Sequence, residues 1–134
     1  MKTLPFSILI IIGLILIINS SCTSSKYVYF YLENIGNDFE KVEMKVFIDD
    51  SLYIDKNVRT SSVSPSYSQF RFGLKKGIHV VKVLVDSLEK SDTLSLDKVT
   101  YYYITHESKN DSGLAKNIIR KIYLQKTTSN LSHR

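Results

Sequence analysis

The chain has 134 residues, a formal net charge of +5, one cysteine and no tryptophan, with 43% hydrophobic and 23% charged residues. That length builds one domain rather than two, and a lone cysteine closes no internal disulfide, so the domain is held by its core. Lysines and acids are interspersed as on an ordinary solvated surface. The only basic concentration is Lys116, Arg120, Lys121 and Lys126, without the motif context of a nucleic-acid binder, and it reads as a solvated edge strand.

In chain order, residues 1–21 come first. Lys2 precedes an apolar run from Leu4 to Ile18, which gives way to Asn19-Ser20-Ser21 and then Cys22. A basic start, an apolar centre and a small polar end read as a cleavable signal helix. A membrane-spanning helix takes roughly 20 apolar residues, and this run is shorter, with Pro5 and Ser7 near its start. Its apolar centre leaves an uncleaved single-pass anchor as an alternative. Removal of the signal takes away Lys2, its one charged side chain, and lowers the net charge from +5 to +4.

On Ser20, Ser21 and Cys22 the segment resembles a bacterial lipoprotein precursor, whose signal ends in an aliphatic residue, two small residues and a cysteine. Asn19 stands at the aliphatic position here, with Ile18 one residue earlier. The resemblance implies that Cys22 is lipidated and becomes the first residue of the mature chain, anchored by several acyl chains because one binds only marginally. Thr23 takes the place of an inner-membrane retention aspartate and no acidic cluster follows. Those features imply an outer-membrane lipoprotein facing the periplasm. Ordinary cleavage near Ser21 or Thr23, which releases a soluble chain, stays open.

Residues 22–26 read as the lipidated cysteine and a short polar tether, residues 27–126 as a β-sandwich domain, and residues 127–134 as a flexible tail. Tyr27 to Glu33 is the first strand. Val42, Met44, Val46 and Ile48 alternate with polar neighbours and form a strand with one buried face. Asp49-Asp50-Ser51 supplies turn chemistry, and Leu52 to Asp55 returns as the second arm of a hairpin. Phe70, Phe72 and Leu74 alternate before Lys75-Lys76-Gly77, which is expected to turn a second hairpin. Its second arm carries apolar residues on both faces from Ile78 to Val85 and is expected to be central.

Asp86 to Asp92 reads as polar turn material, followed by strands at Thr93 to Leu96 and Thr100 to Thr105, the latter favoured by Tyr101-Tyr102-Tyr103-Ile104. His106 to Gly113 reads as a polar loop. Residues 114–124 suit a strand or one helical face, and strand is chosen because two sheets need another member. The fold expected is all-β, a single small antiparallel sandwich of about seven strands behind the signal helix. At Gly77-Ile78-His79-Val80-Val81-Lys82-Val83 the chain resembles PEGA-type and other immunoglobulin-like or transthyretin-like envelope modules. That resemblance implies an adhesive or scaffolding use and brings no catalytic residues.

No catalytic set, metal ligand set or cofactor motif is expected, so the chain does not read as an enzyme. His79 falls on a strand face, His106 in a loop and His133 in the tail, with no shared ligand spacing. No Gly-x-Ser-x-Gly elbow occurs, and Asp49-Asp50 lacks the pattern of a calcium loop. Tyr27, Tyr29 and Tyr31 share one strand face and Tyr101 and Tyr103 another, a candidate surface for a ligand or an envelope protein partner. Asp50-Ser51-Leu52, Asp86-Ser87-Leu88 and Asp92-Thr93-Leu94 resemble the O-glycosylation motif of exported proteins in some bacteria, which makes Ser51, Ser87 and Thr93 candidate acceptors. The leading expectation is a non-enzymatic, lipid-anchored envelope protein that binds another envelope component, without nucleic acid. A small carbohydrate-binding or ligand-binding lipoprotein module is the alternative.

Overall fold

A computed structural model describes residues 24–36, 39–60, 66–111 and 117–129. The signal segment, Cys22, Lys116, His133 and most of the tail lie outside the described residues.

Among the described residues eight strands form two four-stranded sheets: β1 (Ser25–Ile35), β2 (Lys41–Ile48), β3 (Ser51–Arg59), β4 (Ser68–Lys75), β5 (Gly77–Val85), β6 (Leu88–Leu96), β7 (Thr100–Asp111) and β8 (Asn117–Thr127). Sheet A has the order β4-β1-β7-β8 and sheet B the order β3-β2-β5-β6. The all-β sandwich expected from the alternating pattern is therefore present, with eight strands, and residues 117–127 are a strand. Hairpins join β2 to β3, β5 to β6 and β7 to β8. The β1–β7 pair is parallel, so the sandwich is not wholly antiparallel.

Period-two alternation decides what is buried. Val28, Phe30 and Leu32 of β1 and Tyr102 and Ile104 of β7 face Val42, Met44, Val46 and Ile48 of β2 and Val81, Val83 and Val85 of β5 in one core. Two inner faces of this kind interdigitate as the sandwich interior. The rings of Phe30 and Tyr102 pack 5.4 Å apart at its centre. Asp49 (φ 49°) and Asp50 (φ 64°) occupy a two-residue turn between β2 and β3. A turn of that length needs left-handed residues, which aspartate tolerates. A bulge between Val46 and Phe47 leaves Tyr53 as the extra residue, and its ring packs edge-on against Phe72 at 5.2 Å. That contact closes the β3/β4 side of the sandwich.

Three local expectations are corrected. Lys75-Lys76-Gly77 does not turn a hairpin: β4 belongs to sheet A and β5 to sheet B, so this is a corner between sheets. Lys76 alone separates the strands, too little for a two-residue hairpin turn, and its N–H donates to the carbonyl of Ser24, the residue just before β1, at 3.1 Å. Residues 106–111 are not a loop but the second half of β7, paired with β8 as far as Asp111 and Asn117. Their interior side chains include buried His106 and Ser108, so no apolar alternation marks the strand. The polar turn expected over Asp86 to Asp92 is only Asp86-Ser87, because β6 already pairs from Leu88.

Gly36 has φ +122° and a Cβ built there would collide with the carbonyl and hydroxyl oxygens of Ser108. Gly77 has φ +147° but open space around it. Gly36→Ala should therefore lower stability by more than about 1 kcal/mol and by more than Gly77→Ala, read as urea midpoints. Equal midpoints for the two variants would contradict the packing described at Gly36.

Candidate functional site

The outer face of sheet A is a tyrosine surface. Alternation along β1 sends Tyr27, Tyr29, Tyr31 and Glu33 away from the core, and the parallel register sets Tyr29 beside Tyr101 and Tyr31 beside Tyr103. Both pairs stack, at 5.2 Å and 17° for Tyr29–Tyr101 and at 4.8 Å and 15° for Tyr31–Tyr103. Tyr67, just before β4, stands edge-on to Tyr31 at 5.7 Å and to Tyr103 at 5.6 Å. The Ser66 N–H beside it donates to Glu33 Oε1 at 3.3 Å. Desolvation of the Tyr67 hydroxyl, then the charge of Glu33, raises its pKa above 10.0.

At the lower end of this face Tyr27 sits opposite Gly73 in the pairing with β4, where no side chain competes for its ring. The Arg71 guanidinium lies 5.0 Å from the Tyr27 ring centroid, a cation–π contact. Tyr123 of β8 pairs with Thr105 and continues the same face. A hydrogen bond with Glu107 raises its pKa. A depression of about 230 Å³ beside it is lined by Glu107, Lys109, Ile119, Lys121 and Tyr123.

All five tyrosines singled out from the sequence thus lie on one face. They are not equally accessible: Tyr31 and Tyr103 are only 3% and 5% exposed, whereas Tyr27 is 50% and Tyr123 46% exposed. Tyr29 and Tyr101 are intermediate. The sequence reading missed Tyr67, which precedes its strand, and Tyr123, whose segment had two possible periods. Seven of the nine tyrosines of the chain share this surface. The stacked pairs turn ring faces toward each other, and of the two only Tyr29–Tyr101 is partly open to solvent.

His79 joins the two turns at one end of the sandwich. Its Nδ1 lies 2.6 Å from Asp49 Oδ2 and its Nε2 2.8 Å from Lys75 O. Both partners are acceptors, so the doubly protonated ring satisfies both. The Asp49 hydrogen bond, then that to Lys75 O, raises the His79 pKa above 6.5. Hydrogen bonds from His79 and from the Val80 N–H hold Asp49 below 3.8.

His106 behaves in the opposite way at the other end. It is fully buried, its Nδ1 is 2.8 Å from Asn34 Oδ1, and Arg120 Nε donates to its Nε2 at 3.3 Å. These partners assign the neutral ring with the proton on Nδ1. Asn34 Nδ2 donates to Phe39 O at 3.1 Å and to Thr60 Oγ1 at 2.8 Å. Arg120 Nη2 reaches Asp86 Oδ2 in the β5–β6 turn at 2.5 Å, so the network ties sheet A to sheet B. Burial, then the Arg120 charge, lowers the His106 pKa below 6.5.

The candidate glycan acceptors divide. Ser51 and Ser87 are exposed at or beside the β2–β3 and β5–β6 turns, whereas exposed Thr93 lies within β6 rather than at a turn. Among the described residues no three His, Cys, Asp or Glu side chains gather as a metal-holding group. No protein-family model matches the chain, and no curated protein matches it.

The two histidines give stability a maximum near pH 6.5. His79, with a raised folded pKa, contributes fully below the unfolded value of 6.5 and loses that contribution as pH rises through its folded value. His106, with a lowered folded pKa, makes the fold lose stability as pH falls from 6.5 toward that value. Urea midpoints measured between about pH 5 and 8 should rise and then fall, and His79→Gln should flatten the alkaline limb alone. An alkaline limb that survives His79→Gln would contradict the assignment.

Proposed function

We propose that the chain is an exported cell-envelope protein, lipid-anchored through Cys22 at the periplasmic side of the outer membrane. On this reading it is not an enzyme, and the sandwich binds another envelope protein through the tyrosine face of sheet A. The observation that carries the binding reading is the gathering of seven tyrosines on one outer face, where β-branched and charged residues would serve solvation equally well. Tyrosine supplies contact area with a polar tip and loses little side-chain entropy on binding. Its accessible members, Tyr27 and Tyr123, flank the stacked pairs. The anchoring reading rests on the signal pattern of residues 1–21 and the position of Cys22, and the likeness of Gly77 to Val83 to envelope modules belongs to the same proposal.

The engagement of both described histidines supports a non-catalytic role: His106 is fully buried in its network and both ring nitrogens of His79 are spent on turn contacts. Stacked rings favour a protein partner over a sugar, since a pyranose packs on an open aromatic face, whereas Tyr29 and Tyr101 stack on each other and Tyr31 and Tyr103 are buried.

Two measurements test the proposal. Labelled palmitate should enter the wild-type chain and not Cys22→Ala; equal labelling would remove the anchor. Cross-linking in membranes, followed by detergent extraction and purification, should recover a partner with wild type and at least about tenfold less with Tyr27→Ser/Tyr123→Ser. Both residues are about half exposed, so the double variant should keep its fold. Recovery of free monomer alone would contradict the binding role.

A further inference from the structure

The strand directions give the sandwich two unlike ends. At one end lie the start of β1, the β2–β3 turn, the β4–β5 corner, the β6–β7 connection and the end of β8. At the other lie the end of β1, the start of β2, the end of β3 and the β5–β6 turn. Only Thr23 and Ser24 separate Cys22 from β1. Three extended steps span about 10 Å, so whatever holds Cys22 holds the first end within that distance.

We infer that this end of the sandwich lies against the membrane and contacts an anionic lipid surface through Lys75, Lys76 and Lys98, with Ile78 and Val99 at the headgroup boundary. The inference rests on the anchoring reading above and adds an orientation to it. Lys75, Lys76 and Lys98 are exposed, and Lys26 and Lys126 stand on the same end. The aspartates there are partly neutralised, Asp49 by His79 and Asp97 by Lys76 at 3.7 Å; Asp50 lies 3.8 Å from Lys82. Lys126 is held by Asp92 at 3.1 Å, as Arg120 is held by Asp86 at the other end, but among the described residues Lys75 and Lys98 enter no ion pair and stand free at this end. Ile78 is 76% exposed and Val99 39%, beside a groove of about 300 Å³ lined by Ile78, Leu94, Thr100 and Lys126. Lysines beside exposed aliphatic side chains match an interfacial surface, where the chains enter the boundary and ammonium groups meet phosphates. Each lysine near an anionic leaflet adds attraction that falls off within a Debye length.

The orientation also places the tyrosine face perpendicular to the bilayer, because its strands run away from the anchored end. A partner would then meet it from the side. An uncleaved N-terminal segment would hold the same end at the bilayer as a lipid on Cys22, so the orientation does not depend on which of the two anchors operates.

The test uses the full chain in vesicles. Cys22 is the only cysteine, so in the lipidated protein an introduced cysteine is the one thiol that takes a fluorophore. Lys76→Cys at the near end and Arg59→Cys at the far end are labelled and exposed to a headgroup nitroxide lipid. In phosphatidylglycerol vesicles the fluorophore at position 76 should be quenched and that at position 59 should not. Quenching at 76 should weaken in phosphatidylcholine vesicles, and Lys75→Ala/Lys98→Ala should lower it by roughly tenfold in the salt-sensitive part. Equal quenching at both positions, or quenching indifferent to headgroup charge, would overturn the inference. Fluorophore uptake by Cys22 itself would overturn the lipid anchor instead, and the comparison of the two ends is then made on a Cys22→Ser background.

Discussion

The parallel pairing of β1 with β7 places Tyr29 opposite Tyr101, Phe30 opposite Tyr102, Tyr31 opposite Tyr103 and Asn34 opposite His106. Three separate features follow from that one register. On the outer face it makes the stacked tyrosine pairs. On the inner face it makes the Phe30–Tyr102 contact at the centre of the core. At the far end it brings Asn34 to His106, from which the network runs through Arg120 to the β5–β6 turn of the other sheet. A slip of one residue would exchange the faces, turning tyrosines inward and core residues outward.

The side-chain closures around the sandwich depend on the same arrangement. Between the edge strands β6 and β8, Lys90 Nζ donates to Ile122 O at 2.9 Å and Lys126 meets Asp92 at 3.1 Å. Tyr102 donates from within the core to the same Asp92 at 3.0 Å. Burial works against that carboxylate, but hydrogen bonds from Lys126, Tyr102 and the Thr93 N–H outweigh it and hold its pKa below 3.8. The lysines of β8, read from sequence as belonging to an edge strand, do lie on one. Charged side chains there oppose pairing with another chain.

The alternating stretch Val42 to Ile48 was legible because it buries one face continuously, Ile78 to Val85 as an inner strand because apolar residues line both its faces, and the Asp49-Asp50 turn because aspartate tolerates left-handed backbone. The tyrosines of β1 and of β7 were each legible as sharing a strand face but not as neighbours, since nothing local to either segment states that residues 28–35 pair with residues 100–107. The second half of β7 escaped detection because its buried side chains are His106 and Ser108 rather than aliphatic. The corner at Lys75-Lys76-Gly77 escaped for a related reason: a lysine-glycine turn looks the same whether the next strand returns in its own sheet or crosses to the other.

The account stands most directly on the β1–β7 register, and interstrand nuclear Overhauser effects on the isotope-labelled chain measure it. It predicts ring-to-ring effects from Tyr29 to Tyr101 and from Tyr31 to Tyr103, together with Phe30 to Tyr102 on the opposite face. Effects joining Tyr31 to Tyr102, or a pattern that runs antiparallel between the two strands, would contradict it.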